Sequence, residues 1–204
     1  MDVVETLGEL TATQWSIPII GTLSYIPLWI SALRTKGEGQ NFSSWILWFG
    51  LDVLLMGATI LSGGKAYVIL MMSVFLFGSL SMSILLMLLK GREPWTKNEK
   101  RLAILVGVCV IAFLIFYWLN IPLWAVIFIT AAQVVGGVPL FNKTREKPYQ
   151  PLAFLAYSGF TCMYIIMLYN TNPWKPEDVI TPLAIGIFTL ILMFPIAKAL
   201  LKTK

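Results

Sequence analysis

The sequence predicts an all-α membrane protein whose seven transmembrane helices form two parallel three-helix repeats joined by a linker helix. Three observations support this fold class. The composition is too apolar for a water-soluble domain, the chain contains seven apolar runs of membrane-spanning length, and a proline followed by a basic loop recurs in both halves.

The composition excludes most classes of soluble protein and most catalytic chemistry. Of the 204 residues, 58% are hydrophobic and 12% charged, whereas soluble domains carry roughly 25% charged residues. Histidine, the commonest metal ligand and proton shuttle, is absent. Phosphate loops, dinucleotide fingerprints and metal-ligand clusters are absent from the sequence too. We therefore expect no enzyme activity, no cofactor, no metal site and no nucleic-acid partner.

Each of the seven apolar runs is long enough to cross about 30 Å of hydrocarbon as a helix. A helix satisfies its own backbone hydrogen bonds in lipid, and the runs lack the alternation of a transmembrane barrel. The predicted spans are Ser16–Leu33, Phe42–Ser62, Ala66–Leu89, Leu102–Leu119, Ile121–Phe141, Pro151–Tyr169 and Val179–Leu201.

The fourth and fifth runs are separated only by a short stretch that contains Asn120 and Pro122. Without a break there, a single helix would be far longer than the bilayer is thick. We therefore predict a tight turn at the membrane interface, with Trp118 and Trp124 in the aromatic belt.

The basic residues predict the orientation of the chain. All but two of the 15 basic residues lie in alternate loops and the C-terminal tail, and the exceptions are Lys65 and Lys175. Because cytoplasmic loops are enriched in Lys and Arg, we expect the N-terminus outside and the C-terminus in the cytoplasm. We expect the protein to lie in the bacterial inner (cell) membrane.

A short pattern recurs in the two halves of the sequence. The first run contains Tyr25-Ile-Pro-Leu-Trp29 and the fifth contains Gly137-Val-Pro-Leu-Phe141, each followed by a basic loop. Three spans reverse the direction of the chain, so a fourth span between the copies makes the repeats parallel. The predicted divisions are 1–90 for the first repeat, 91–119 for the loop and linker helix, and 120–204 for the second repeat.

This arrangement resembles the PQ-loop and SWEET superfamily of three-plus-one-plus-three membrane proteins. The signature proline of that superfamily matches Pro27 and Pro139, and Leu28 and Leu140 stand where glutamine usually follows. The resemblance implies a transporter. It also implies that Pro27, Pro139 and Pro151 act as hinges of the helices. The alternative for these three prolines is a purely structural role.

Asp52 is the ionisable residue at the centre of the second predicted span. A charged side chain there costs roughly 2.5–3.5 kcal/mol, which implies a partner or a water-filled cavity. Trp45 and Trp48 lie on the same helix face, which is suited to a sugar, a nucleoside-like ring or a cation. Alternatively, Asp52 pins two helices together through a serine or tyrosine, and Trp45 anchors the chain at the interface.

Polar side chains of the fifth and sixth runs complete the predicted binding site. Gln133 lies near the middle of its run, and Tyr157 and Ser158 are expected near the depth of Asp52. Polar groups at one depth on three helices can converge on one cavity. The alternative for Gln133 is a packing contact between helices. The predicted substrate-binding residues are Asp52, Trp48, Trp45, Gln133, Tyr157 and Ser158.

From these features we predict a transporter that moves a small polar solute by alternating access, with Asp52 as the candidate site of proton coupling. The alternative function is a non-transporting receptor or assembly partner on the same fold. The expected partners are the solute, protons and the lipid bilayer. The chain is also a candidate homo-oligomer, in which further copies of itself are partners.

Overall fold

The computed structural model describes residues 10–61, 65–90, 94–148, 150–171 and 175–202, and every regular element within these ranges is an α-helix. Part of the predicted topology lies outside the described residues. It rests on the N-terminal residues 1–9, on Arg92 and on Lys204. The helices are α1 (Ala12–Arg34), α2 (Phe42–Leu61), α3 (Ala66–Lys90), α4 (Lys97–Trp118), α5 (Pro122–Glu146), α6 (Pro151–Asn170) and α7 (Pro176–Lys202).

These seven helices are long and apolar enough to cross a membrane, as the seven apolar runs predict. Large apolar side chains cover their outer surfaces, among them Phe77 at 62% exposure and Ile104 at 69%. Polar side chains such as Asp52, Ser79 and Thr130 are buried instead. This distribution suits a lipid environment and indicates a multi-pass integral membrane protein.

Local sequence signals account for the helix boundaries. The N-terminus of α1 is capped by Thr11 and that of α4 by Thr96, each in a reciprocal capping box. Pro122 and Pro151 occupy the first turns of α5 and α6, where a missing backbone N–H breaks no hydrogen bond. Between α4 and α5, Asn120 adopts a positive φ of 56° and forms the predicted tight turn.

The bundle is built from a ring of packed helix pairs. Helix α1 packs against α3 and α6, and α2 packs against α3 and α5. Helix α7 packs against both α5 and α6, which completes the ring around a shared interior. The main hydrophobic core contains buried side chains such as Leu28, Met82, Met163 and Leu192.

Helix α4 lies at the periphery of this ring. Its span buries the smallest share of residues among the seven, and its main packing partner is α5. The buried residues Val106, Cys109 and Phe113 of α4 belong to a second hydrophobic cluster, shared with α2 and α5.

The α1–α2 loop, the α5–α6 loop and the start of α4 meet at one end of the bundle, which we call the basic end. Glu38 forms a salt bridge with Lys147 at 3.5 Å, and Gln40 donates to Gln150 at 3.5 Å. The Asn41 amide donates to Glu99 at 2.7 Å, which joins the start of α4 to the start of α2. These contacts place the two loops and the start of α4 on the same side of the bundle.

Candidate functional site: a central aromatic cavity

A cavity of about 70 Å³ lies inside the ring of helices. Side chains from α1, α2, α3, α5, α6 and α7 line it, and α4 contributes none among the described residues. The lining residues are Tyr25, Trp45, Trp48, Asp52, Phe75, Ser79, Gln133, Tyr157, Phe160, Tyr164, Ile185, Phe188, Thr189 and Leu192.

Asp52 is the acidic residue of this lining, and its side chain is buried at 5% exposure. Its Oδ2 accepts a hydrogen bond of 2.7 Å from the hydroxyl of Ser79 on α3. The described lining contains no Lys or Arg that could neutralise the carboxylate. A buried carboxylate with one neutral hydrogen bond is poorly compensated, so the cavity favours a bound cation or a proton.

Two glycines let aromatic rings approach the neighbouring helices closely. Gly78 of α3 lies against the ring of Tyr25, and an added Cβ there would overlap that ring. A Cβ on Gly137 of α5 would lie 2.5 Å from the ring of Phe188 and 2.8 Å from Trp48. The absence of a side chain at these two positions therefore makes room for the cavity wall.

Most of the aromatic rings of the lining contact one another and form an aromatic wall in the cavity that also contains Asp52. Trp45 and Trp48 meet edge to face at 5.1 Å between centroids, and Trp48 meets Phe188 in the same way at 6.3 Å. Tyr25 packs edge to face on Phe160 at 4.9 Å. Offset and edge-to-face contacts of this kind hold rings in fixed orientations.

Hydrogen bonds fix both indole groups of this wall. The Trp48 Nε1–H donates to the backbone carbonyl of Gln133 at 2.8 Å, and the Trp45 Nε1–H donates to Gln40 at 3.2 Å. Both N–H groups are therefore occupied by protein acceptors, and the rings contribute mainly π surface to the cavity.

Two polar atoms of the lining residues are buried without a hydrogen-bond partner, the Oε1 of Gln133 and the hydroxyl of Tyr157. The Tyr157 hydroxyl lies toward the Gln40 amide without reaching hydrogen-bond geometry. Buried polar atoms in folded proteins are normally paired with protein or water. Their presence at the cavity indicates groups that a ligand or a water molecule can engage.

The structure brings five of the six predicted substrate-binding residues to this one cavity. Asp52, Trp48, Trp45, Gln133 and Tyr157 all line it. The sixth, Ser158, does not line it, because its hydroxyl donates to the Phe154 carbonyl at 2.9 Å and faces Met193. Their role in binding a solute stays a prediction.

The predicted hinge prolines occupy two kinds of position. Pro27 and Pro139 lie inside α1 and α5, where a proline removes one intrahelical hydrogen bond. Next to Pro139, the backbone N–H of Leu140 donates to Ser44 of α2 at 3.0 Å. Pro151 begins α6, so it has no preceding turn of that helix to bend.

Sequence reasoning missed most of the cavity wall on α1, α3 and α7. Tyr25, Ser79 and Phe188 were not among the predicted site residues, although all three line the cavity. One available signal was the position of Gly78 and Gly137 inside long apolar helices, where a glycine indicates close approach of a neighbour. Identifying which aromatic fills each gap requires the packing of the helices.

A second, more polar depression of about 250 Å³ lies at the basic end and is lined by residues including Trp95, Glu99 and Lys143. Glu99 accepts hydrogen bonds there from Asn41 and from Ser43, at 2.7 and 2.9 Å. These bonds attach the start of α4 to α2, so we interpret this region as a structural junction.

Among the described residues, no group of three His, Cys, Asp or Glu side chains could hold a metal ion. No protein-family model, no curated protein and no solved structure matches this chain.

Proposed function

We propose that this protein transports a small polar solute across the membrane by alternating access, with the solute bound at Asp52 in the central cavity. The observation that carries the proposal is a single cavity lined by six of the seven described helices and containing a buried acid. Transporters commonly bind their solute near the middle of the membrane, at the interface between structural repeats. An acid that served only to fix two helices would need no cavity around it.

The packing of the helices supports two parallel repeats, α1–α3 and α5–α7, with α4 as a linker. Exchanging α1 with α5, α2 with α6 and α3 with α7 maps each contact within one triplet onto a contact within the other. The same exchange maps the α1–α6 contact onto the α2–α5 contact. The α4–α5 contact has no such counterpart, as expected for a helix outside the repeat.

One pair of side-chain contacts supports the same correspondence. Asp52 on α2 bonds Ser79 on α3, and Thr161 on α6 bonds Thr189 on α7. In the first triplet a ring on α1 fills the space above a glycine on α3. In the second triplet the arrangement is reversed, because a ring on α7 fills the space above a glycine on α5.

The proposed cycle bends the bundle at Pro27 and Pro139, where helices on opposite sides of the cavity are each weakened by a proline. Asp52 is neutralised by the solute in one part of the cycle and by a proton in another. In the orientation that we propose from the positive-inside rule, the basic end faces the cytoplasm and the N-terminus lies outside. The proposed location remains the bacterial inner membrane.

The second candidate function is a receptor or an assembly partner without transport. It is favoured by the 2.7 Å hydrogen bond between Ser79 and Asp52, because such a bond can hold α2 and α3 together. This alternative predicts that solutes bind without crossing the membrane.

Solute exchange in proteoliposomes tests the proposal. Trp48 lines the cavity and Trp124 is 49% exposed on the surface, so Trp48→Leu and Trp124→Leu form a matched pair. We expect the wild type and Trp124→Leu to exchange a labelled solute, and Trp48→Leu to exchange it much more slowly. Exchange no faster than in protein-free liposomes, or full exchange by Trp48→Leu, would overturn the proposal.

A further inference from the structure

We infer that the solute is a small organic cation that carries one ammonium group, bound between the Asp52 carboxylate and the aromatic wall of the cavity. This inference rests on the proposed function and specifies its substrate class. It follows from the charge of the lining residues, from the hydrogen-bond donors that they supply and from the size of the cavity.

The charge of the cavity favours a cation. Asp52 is the charged residue among the described lining residues, and Ser79 is its hydrogen-bond partner from a side chain. A bound ammonium group would neutralise the carboxylate inside the protein. An anionic solute would instead add a second negative charge to a site that has no basic side chain in its described lining.

The hydrogen-bonding groups of the wall favour a cation over a sugar. The donors of Trp45, Trp48 and Ser79 already bond protein acceptors. The Thr189 hydroxyl likewise bonds the Gly186 carbonyl and Thr161. A sugar needs many donors and acceptors at once, whereas an ammonium group needs acceptors and π surface.

The groups that remain available match that requirement. The Oε1 of Gln133 is a buried acceptor without a partner, and the unpartnered Tyr157 hydroxyl can accept or donate a hydrogen bond. The faces of the aromatic wall carry negative partial charge, which attracts ammonium groups to aromatic cages. Five rings on α2 and α6 supply the wall together with others from α1, α3 and α7, and the full set includes Trp48, Tyr25, Phe75, Tyr164 and Phe188.

The size of the cavity limits the solute to a small molecule. Its volume of about 70 Å³ is well below the roughly 300–1,000 Å³ of pockets that hold drug-sized ligands. Small alkylammonium ions satisfy this limit, and larger multi-ring solutes do not.

Binding of matched cationic and neutral probes to the purified full-length protein tests the inference. The probes are methylammonium, tetramethylammonium, choline and the neutral carbon analogue of choline, in which a tert-butyl group replaces the trimethylammonium group. We expect at least one cation to raise the apparent melting temperature in a saturable way. We expect the neutral analogue, at equal concentration and ionic strength, to produce no such shift.

Matched variants show whether the effect arises at the cavity. Asp52→Asn removes the cavity charge, and Asp178→Asn removes an exposed acid on α7. The cation shift should disappear in the first variant and persist in the second. Should Asp52→Asn fail to fold, Trp48→Leu serves instead and should weaken cation binding on the order of tenfold, the scale of a desolvated cation–π contact.

The outcomes separate this inference from the proposed function. Equal stabilisation by the neutral analogue, or by sodium chloride alone, would overturn the organic-cation inference. If only uncharged solutes bind, exchange across liposomes and depend on Trp48, the transporter proposal stands and the cation inference is wrong. If the cations bind but no solute exchanges, the cation inference stands and the transporter proposal is wrong.

Discussion

The helix pairs α2–α3 and α6–α7 hold similar hydrogen bonds with different chemistry. In the first pair, Asp52 accepts from Ser79 at 2.7 Å, and in the second the Thr161 and Thr189 hydroxyls lie 2.8 Å apart. Both contacts join two neighbouring helices in the interior. Only the first carries an ionisable group, and our proposal is that this contact serves binding while the other maintains packing.

The largest expected effect is loss of solute binding in Asp52→Ala. Removing the buried charge that pairs with a cation should weaken binding by at least about 100-fold. Stability should fall by less than about 1 kcal/mol, because the Ser79 hydroxyl can still donate to the Phe75 carbonyl at 2.8 Å. Binding isotherms and urea unfolding of the same preparation measure both quantities.

The matched change in the second pair is Thr161→Val, which keeps the shape of the side chain and removes its hydroxyl. Solute binding should stay within about threefold of the wild type. If Thr161→Val reduces binding as much as Asp52→Ala, then the two pairs are equivalent and the special role of Asp52 is lost.

The next largest effect is expected from Gly137→Ala, which places a methyl group against the wall near the cavity. The new Cβ would lie 2.5 Å from Phe188, so the ring must move, at a cost of about 1–3 kcal/mol. Gly57→Ala is the control, because nothing lies within 4 Å of its added Cβ. Thermal unfolding and solute binding should both weaken in the first variant only.

A smaller effect should follow from Glu99→Gln at the α2–α4 junction. The variant keeps the size of the side chain but weakens charge-assisted bonds from Asn41 and Ser43, at a cost of about 1–2 kcal/mol. Because α4 contributes no described residue to the cavity, solute affinity should not change. A reduced affinity at unchanged stability would contradict a purely structural role for this junction.

The smallest expected effect is the loss of folding stability in Thr161→Val. Interhelical hydrogen bonds in membrane proteins contribute about 0.6 kcal/mol on average. A loss of this order in urea unfolding agrees with a packing contact. A loss above about 3 kcal/mol would show that this pair is essential for the fold.

The helical spans were predictable because lipid requires long apolar helices, and that requirement leaves a direct trace in sequence. The predicted span Phe42–Ser62 corresponds to α2, Phe42–Leu61, and the other six spans correspond in the same way. The larger differences are at helix ends, where polar residues extend α1 back to Ala12 and α5 forward to Glu146. Capping boxes and basic last turns cause these extensions, and hydropathy alone does not detect them.

The candidate site was predictable only in part. Asp52 and Gln133 stand out because polar residues are costly inside a span, and both line the cavity. Tyr25 and Phe188 resemble ordinary aromatic residues of apolar helices, so their position depends on the packing against Gly78 and Gly137. Ser158 was predicted as a site residue only from its depth in the membrane. Its position around the α6 axis directs its hydroxyl toward Phe154 and Met193 instead.

The most direct test of the central claim is solute uptake into proteoliposomes by the wild type, Asp52→Asn and Thr161→Val, measured across a range of pH. Asp52→Asn preserves the shape and much of the hydrogen bonding of the site, so it should fold and yet fail to take up solute. Thr161→Val should take up solute at close to the wild-type rate, with the same pH dependence. Full uptake and unchanged pH dependence in Asp52→Asn would contradict the account and make Asp52 a structural residue.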